Sequence, residues 1–193
     1  MTRIPGDYLE FGVFEGLSFD LALRSASKYF KQKQSSPRFF AFDSFLGLPL
    51  PDAKYDSDFF REGAYSTTQK KFKERISRAA RKFDVVIIPG FFKETLTSEL
   101  VAKHKMTAAS FINIDCDLYD STITVLRFVT PLLQSGTVLY FDDWFFSKGA
   151  QTVGEVGACN AWLREQPQIS LVEYGRVGTT GKLFLVNIAK TTD

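Results

Sequence analysis

Strand-like and helix-like segments alternate along the 193 residues of this chain, and no other feature constrains its fold so strongly. Short apolar runs typical of buried strands are separated by segments whose apolar residues recur at helical spacing. Such alternation predicts a parallel sheet covered by helices on both faces. The last two strand-like segments are joined only by a Gly-rich turn, which predicts one antiparallel strand. We therefore predict a single domain, residues 1–193, with a doubly wound α/β fold and a mostly parallel, seven-stranded, Rossmann-like sheet whose antiparallel strand lies near the C-terminus.

The predicted strands occupy positions 8–9, 39–42, 84–88, 111–114, 138–141, 169–174 and 183–188. Helices are predicted at 17–30, 70–82, 95–104, 121–133 and 151–165. Ser121 is the expected N-terminal cap of the fourth helix. The connection from 44 to 66 is rich in Gly, Pro and Asp, and a long irregular connection of this kind is more often functional than idle.

Composition and charge exclude several classes of protein. The formal net charge is +2, which gives no bulk argument for nucleic-acid binding. No apolar run approaches the roughly 20 residues that span a bilayer, and no signal peptide is visible, so no membrane partner is expected. Cys116 and Cys159 are too few for a disulfide framework and indicate a reducing compartment, which predicts a cytoplasmic protein. The single histidine, His104, falls at a predicted helix end and excludes a three-histidine metal site.

Acidic residues and glycine close the predicted strands. Glu10, Asp43, Gly90, Asp115 and Asp142 each stand where a strand ends. Ligands of open α/β sheets bind outside the carboxyl ends of the strands, so these positions converge on one rim. For any single acid, a helix cap or a solvated loop residue is the favoured interpretation, but the joint pattern predicts a ligand site.

The first strand end carries the pattern E-x-G-x-x-x-G, from Glu10 to Gly16. Two glycines at a strand-to-helix turn leave bare backbone for a cofactor, although such a turn is equally often only a tight connection. The pattern differs from the dinucleotide fingerprint G-x-G-x-x-G, and its leading acid would face a cationic or amine-bearing cofactor. Asp43 follows the second strand, where an acid commonly accepts hydrogen bonds from ribose hydroxyls, so we predict a nucleoside-containing cofactor.

Four aspartates follow the fourth and fifth strands, namely Asp115, Asp117, Asp142 and Asp143. A free Asp has a pKa of about 3.9, so carboxylates crowded between neighbouring strands repel unless one is protonated or a cation lies among them. Oxygen ligands alone favour Mg²⁺ or Ca²⁺ over zinc. A divalent-metal site is the favoured interpretation, and a cluster of helix caps is the alternative.

These motifs, taken in order, resemble those of class I S-adenosylmethionine-dependent methyltransferases, and within them most closely the macrocin O-methyltransferase (TylF-like) family. The resemblance covers nearly the whole chain and is carried by YLEFGVFEG at 8–16, FDSFLGLP at 42–49, PGFFKETL at 89–96, IDCDLYDST at 114–122 and FDDW at 141–144. The second and fourth of these stretches are far more specific than the opening glycines.

The resemblance implies roles for matching positions. Glu10, Gly12 and Gly16 would hold the amino-acid end of the cofactor, Asp43 and Ser44 its ribose, and Gly90 and Phe91 would border its adenine. The full predicted cofactor-binding set is Glu10, Gly12, Phe14, Glu15, Gly16, Asp43, Ser44, Gly90, Phe91 and Asp115.

The resemblance also implies a metal-assisted reaction. Asp115, Asp142 and Asp143 would bind Mg²⁺, and an acid of the Asp115/Asp117 pair would be the general base. The implied catalytic set is therefore Asp115, Asp117, Asp142 and Asp143. Catechol-type methyltransferases carry a lysine base three residues after the first ligand, whereas this chain has Leu118 there.

The implied function is Mg²⁺-assisted methyl transfer from S-adenosylmethionine to a hydroxyl of a small molecule, a sugar or another natural-product acceptor. Two alternatives stay open: a nicotinamide-dependent oxidoreductase, disfavoured by the absence of G-x-G-x-x-G, and a non-catalytic binding protein that retains the fold. A homo-oligomer is a possible state. Related enzymes have an N-terminal helical cover that we expect to be absent here, and the region after Asp143 would set acceptor specificity. Residues 144–146 would either wall the acceptor pocket or pack.

Overall fold

The computed structural model describes residues 4–30, 37–148 and 150–189, within which seven strands form one sheet. The strands are β1 (Asp7–Phe11), β2 (Phe39–Asp43), β3 (Val85–Pro89), β4 (Ala109–Ile114), β5 (Val138–Phe141), β6 (Ile169–Val177) and β7 (Gly181–Ile188). The helices are α1 (Leu17–Tyr29), α2 (Gln69–Ala80), α3 (Phe92–Thr95), α4 (Ser98–His104), α5 (Tyr119–Val129) and α6 (Gly154–Glu165), and a short 3₁₀ turn (Thr130–Leu132) follows α5.

The strand order is β3-β2-β1-β4-β5-β7-β6. Strands β1 to β5 pair in parallel, whereas β7 is antiparallel to both β5 and β6. This confirms the predicted mostly parallel, Rossmann-like sheet with one antiparallel strand. Ile114 at the end of β4 pairs with Phe11 of β1 and Phe141 of β5, so the carboxyl ends of the three strands lie at one level.

Burial differs between the two faces of the sheet. On one face the core extends from β1 and β2 to β7 beneath α3 to α6, and Trp162 is its largest fully buried side chain. On the other face α1 and α2 pack over β1 to β3 through residues such as Phe19 and Phe72. Val138 and Leu185, which point to that second face from β5 and β7, are only half-buried. Among the described residues, helical cover therefore extends further across one face of the sheet than across the other.

Some predicted boundaries are wrong for local reasons. The helix predicted at 95–104 begins later, because α3 ends at Thr95 and α4 begins only after Thr97, which caps it by accepting a hydrogen bond from the backbone N–H of Leu100 at 3.3 Å. Ser121 is not a cap, since α5 already begins at Tyr119. The predicted turn at 175–181 is shorter, because the β6–β7 ladder continues as far as the pair Val177 and Gly181. None of the described helices is both long enough and apolar enough to cross a membrane.

Candidate active site

A cavity of about 520 Å³ opens at the carboxyl ends of the parallel strands, a size typical of small-molecule sites. All but three of the predicted site residues line it. The lining residues from the predicted set are Gly12, Phe14, Asp43, Ser44, Gly90, Phe91, Asp115, Asp117, Asp142 and Asp143. The in-register strand ends bring these residues together, although they are spread over 132 positions of the sequence, from 12 to 143.

The turn after β1 brings the backbones of two neighbouring strands into contact. Gly12 has a φ of 84°, and a Cβ atom at this position would lie 1.8 Å from the carbonyl oxygen of Asp115. Only glycine fits such an approach, so Gly12 is required by the fold as well as by any ligand. The backbone N–H groups of Val13 and Phe14 both donate to Asp43 Oδ2 at 2.8 Å, which fixes the turn against the end of β2.

Most of the hydrogen-bond acceptor positions of the Asp43 carboxylate are occupied by backbone N–H groups. Its Oδ1 accepts from the N–H of Phe45 at 2.7 Å, in addition to the two bonds to the first turn. A carboxylate has about four acceptor positions, so one is left for a hydroxyl in the cavity. Ser44 accepts from the N–H of Leu46 at 3.0 Å and donates to the carbonyl of Gly47 at 2.9 Å, which shapes the next turn of the cavity wall.

Glu10 is fully buried behind the turn and does not line the cavity. Its carboxyl accepts hydrogen bonds from the hydroxyls of Ser18, at 2.6 Å, and Tyr8. Burial raises the pKa of Glu10 to about 7, against the opposing effect of these hydrogen bonds and with a further contribution from the charge of Asp142. Glu10 therefore changes its charge near neutral pH, and its predicted contact with a cofactor stays a prediction.

Glu15 and Gly16 also lie outside the cavity lining. Glu15 forms ion pairs with Lys71, at 3.5 Å, and Arg75, at 3.7 Å, across the α1–α2 contact. Gly16 is the left-handed N-cap residue that precedes α1, and it packs against Phe72. Both residues join the first helix to the second in the structure, and their assignment to the cofactor stays a prediction.

Residues that follow β3 also line the cavity, next to the end of β2. The N–H of Gly90 donates to the carbonyl of Asp43 at 3.0 Å, and Phe91 precedes α3. Lys93 and Asp120 also line the cavity and form an ion pair of 2.8 Å that joins α3 to α5. The sequence interpretation assigned no role to this pair.

The four aspartates of the second half of the chain come together in the cavity. Burial raises the pKa of Asp115 well above its usual range, and the charges of Asp142 and Asp117 raise it further. Burial, the hydrogen bond that it shares with Asp143 and nearby charges also raise the pKa of Asp117. Asp142 accepts a hydrogen bond from the hydroxyl of Tyr140. The cluster therefore favours bound protons or a bound cation over four free carboxylates.

Backbone strain accompanies this cluster. Asp117 has a φ of 62°, a conformation that costs a residue with a side chain roughly 1–2 kcal/mol. Strained backbone of this kind clusters at functional sites, where the surrounding structure holds it. Here the strained residue is the one whose carboxyl contacts Asp143 across the two strand ends.

The donor chemistry of the cluster fits a hard divalent cation, because every candidate ligand is a carboxylate oxygen and the groups repel one another. The geometry is less complete. Within residues 4–30, 37–148 and 150–189, no three side chains of His, Cys, Asp or Glu are arranged so that one metal ion could be held among them. The Mg²⁺ assignment of Asp115, Asp142 and Asp143 therefore stays a prediction that rests on the chemistry of the donor set.

Residues of the connection between β2 and α2 (residues 44–68, the β2–α2 loop) form much of the remaining wall. Those lining the cavity include Leu48, Leu50, Asp56 and Tyr65. The length of this loop predicted a functional role, but no pattern in the sequence identified which of its residues would face the site. Glu155, which contacts Asp143, was also missed, since an acid in the first turn of a helix is common at protein surfaces.

The aromatic residues after Asp143 pack instead of lining the cavity. Trp144 contacts Phe184, with ring centroids 4.6 Å apart, and Phe146 contacts Phe60 at 5.0 Å. Phe145 lies beneath the guanidinium group of Arg176 at 3.9 Å. Of the two interpretations left open for residues 144–146, packing is the one that the structure supports.

Comparison with known proteins matches this chain to O-methyltransferases. A sequence model of the family described as Macrocin-O-methyltransferase (TylF) matches residues 1–158. The 8-demethyl-8-(2,3-dimethoxy-alpha-L-rhamnosyl)-tetracenomycin-C 4'-O-methyltransferase of Streptomyces olivaceus is 27% identical over 148 residues, which cover 73% of this chain and 54% of the relative. The chain thus spans about half the length of that relative.

Similar solved structures share the fold at low sequence identity. The calicheamicin methyltransferase CalS11 has a TM-score of 0.73 and 19% identity, and the match covers 94% of this chain and 72% of that one. The O-methyltransferase NovP has a TM-score of 0.71 with the same identity and coverage. An O-methyltransferase from Bacillus cereus, in complex with SAH, has a TM-score of 0.57 and 18% identity over 93% of this chain and 73% of that one.

Proposed function

The chain belongs to the macrocin-O-methyltransferase (TylF) family, and on that premise we propose that it transfers a methyl group from S-adenosylmethionine to a hydroxyl oxygen of a small molecule. One observation carries this proposal: the glycine turn, Asp43 and the four aspartates of the cluster all border a single cavity. A nucleoside-bearing methyl donor and a hydroxyl acceptor need such a common volume, because the two reacting atoms must meet in line.

The cofactor would occupy the side of the cavity formed by the ends of β1, β2 and β3. Gly12 leaves backbone exposed there, Asp43 retains one acceptor position for a ribose hydroxyl, and Phe91 offers an apolar surface beside the adenine. Glu10 lies behind the same turn, where its ionised form would favour the cofactor's amino group through the field it creates rather than by lining the cavity.

When bound, S-adenosylmethionine supplies a methyl group on a positively charged sulfur, which an oxygen can attack in line. The cavity walls would hold the acceptor hydroxyl against this group, and positioning alone can supply about 7–11 kcal/mol of such a barrier. As the carbon–oxygen bond forms and the carbon–sulfur bond breaks, the hydroxyl proton passes to a carboxylate oxygen of Asp117 or Asp115. The raised pKa of Asp117 suits a proton acceptor that works near neutral pH.

We further propose that Asp115, Asp142 and Asp143 hold Mg²⁺, which when bound would orient the acceptor hydroxyl and lower its pKa. Support comes from the setting of the carboxylates: burial raises the pKa of Asp115 and of Asp143, the charge of Asp142 raises both further, and a cation would oppose both effects. Tyr140, through its hydrogen bond, would keep the Asp142 carboxylate directed toward the same volume.

The acceptor is proposed to be a hydroxyl of a sugar-bearing natural product. The name of the Streptomyces olivaceus relative describes methylation at a rhamnosyl group, and family membership makes that substrate class the first to test here. A cytoplasmic location is proposed on the cysteines, since Cys116 and Cys159 are both free thiols.

Calorimetric titration with S-adenosylhomocysteine, with and without Mg²⁺, tests the cofactor site, and NADH serves as the control ligand. We expect S-adenosylhomocysteine to bind under both conditions and NADH not to bind. Binding of NADH alone would instead favour the nicotinamide-dependent oxidoreductase. Transfer of a labelled methyl group to a panel of rhamnosides and other glycosides then tests turnover, and binding without transfer to any acceptor would favour the non-catalytic alternative.

A further inference from the structure

Glu155 is a buried acid that the proposed chemistry does not use. It is the second residue of α6, its residue exposure is 1%, and it does not line the cavity. Its Oε2 accepts a hydrogen bond from the backbone N–H of Asp143 at 2.9 Å. Its Oε1 has no hydrogen-bond partner in the part of the chain that the structure describes.

A purely structural role explains this residue poorly. A buried carboxyl group with an unsatisfied oxygen costs free energy that an apolar side chain of the same size would avoid. Glu155 also does not cap its own helix, because the N-cap position of α6, Val153, receives no side-chain hydrogen bond. The contact with the backbone of Asp143 is therefore the interaction that distinguishes this carboxyl group.

The two aspartates after β5 are held by different elements. The N–H of Asp142 donates to the carbonyl of Ile114 at 3.1 Å, which continues the sheet, whereas the N–H of Asp143 leaves the sheet and donates to Glu155. Helix α6 is itself fixed, because Trp162 is fully buried and its indole N–H donates to Thr130 Oγ1 at 2.9 Å. Glu155 thus links the backbone of Asp143 to a helix that is held in place by its own packing.

We propose that Glu155 is a positioning residue that fixes the Asp143 backbone and thereby sets the place of the Asp143 carboxylate in the cavity. Its consequence for catalysis rests on the proposed function, and its effect on the backbone does not. Supporting groups of this kind change activity typically by about 10–100-fold when they are lost from around a metal or catalytic group.

Two variants of nearly equal size test the proposal. Glu155→Gln keeps a carbonyl oxygen that can accept from the Asp143 N–H, whereas Glu155→Leu removes the acceptor. In the Leu variant we expect amide hydrogen exchange at Asp143, measured by NMR, to accelerate at least about tenfold relative to the Gln variant. We expect kcat to fall about 10–100-fold in the Leu variant alone, while the Kd for S-adenosylhomocysteine stays within about twofold.

The outcomes separate the two proposals. Unchanged exchange at Asp143 or unchanged kcat in the Leu variant would overturn the positioning role. So would loss of folding or of S-adenosylhomocysteine binding in both variants, because Glu155 would then support the fold as a whole. If the unmodified protein methylates no acceptor but Asp143 exchange responds as expected, the proposed function fails and the positioning of Asp143 stands.

Discussion

The carboxylate of Asp56 accepts a hydrogen bond from the backbone N–H of Tyr119 at 2.8 Å, so a residue of the β2–α2 loop caps a helix 63 positions further along the chain. Helix α5 needs this partner, because Leu118 at its start has no side-chain acceptor. The other oxygen of Asp56 accepts from the N–H of Asp52 at 2.8 Å, and the rings of Tyr55 and Tyr119 stack 4.6 Å apart. The loop is thereby tied to the helix that follows the Asp115–Asp117 segment.

Asp56→Ala should therefore weaken both stability and cofactor binding. Loss of a helix cap typically costs about 1 kcal/mol of stability. We expect release of the loop to weaken the binding of S-adenosylhomocysteine by at least about 0.6 kcal/mol, which raises its Kd about threefold. Urea unfolding and calorimetry measure the two effects. Asp58→Ala is the matched control, because Asp58 is an exposed acid of the same loop that does not line the cavity. Equal effects of both substitutions would contradict the role of the cap.

The contact between Asp56 and Tyr119 also marks the limit of what the sequence could predict. The sheet was predictable because buried parallel strands are apolar runs and because their in-register ends carry the polar residues. A cap contributed from a distant loop leaves no local pattern. The sequence therefore favoured Ser121, a residue with a good capping side chain that lies inside α5.

Substitution of Gly12 tests the close approach of β1 and β4. Gly12→Ala places a Cβ atom 1.8 Å from the Asp115 carbonyl oxygen at a φ of 84°, whereas Gly178→Ala enters open space at a φ of 60°. The left-handed conformation alone costs roughly 1–2 kcal/mol, which is the effect expected at Gly178. Overpacking should bring the loss at Gly12 to about 3 kcal/mol or more. Urea unfolding compares the two, and equal losses would show that the strands separate at little cost.

The buried carboxyl of Glu10 should make stability depend on pH. Its pKa is raised from 4.5 to about 7 in the folded protein, so its contribution is fully present below the unfolded pKa and is lost as pH rises through about 7. Between pH 5.5 and 8.5 this loss amounts to about 2 kcal/mol, at roughly 1.4 kcal/mol for each pH unit that lies between the two pKa values.

Glu10→Gln removes the titration and keeps the side-chain size, so it isolates this contribution. Relative to the unmodified protein, the free energy of unfolding of the Gln variant should rise by about 2 kcal/mol between pH 5.5 and 8.5. Urea unfolding at the two pH values gives the difference. A constant difference would mean that Glu10 ionises at its ordinary pKa in the folded protein.

The site was less predictable than the fold, for a physical reason visible at two residues. Gly12 and Asp43 stand where a cofactor would need them, yet the structure shows that both also hold the strand ends together. A sequence pattern indicates that a position is constrained, but it does not show whether ligand binding or the fold imposes the constraint. Glu15 belongs to the same motif of the first turn, but its ion pair with Lys71 of α2 lies outside the cavity, so the motif also includes a residue that does not line the site.

Asp142→Ala tests whether the carboxylate cluster acts in the reaction rather than in cofactor binding. We expect kcat to fall about 100-fold or more, because the variant loses a proposed ligand of the Mg²⁺ that would orient and activate the acceptor. The Kd for S-adenosylhomocysteine should stay within about twofold, since the proposed cofactor contacts come from other strand ends. Asp84→Ala is the control, an exposed acid at the opposite end of the sheet. Parallel loss of binding and turnover would contradict this division of the cavity.

Removal of divalent metal tests the same cluster without a mutation. With excess chelator we expect turnover to fall about 100-fold or more, because the acceptor hydroxyl would lose a bound cation that stabilises developing charge. Added Mg²⁺ should restore the rate, and S-adenosylhomocysteine binding should be unchanged throughout. Chelator should also raise the pKa of Asp115, since burial and then the charges of Asp142 and Asp117 already raise it when no cation is bound. Full turnover at high chelator concentration would show that Asp117 and its neighbours act by proton transfer without a metal ion.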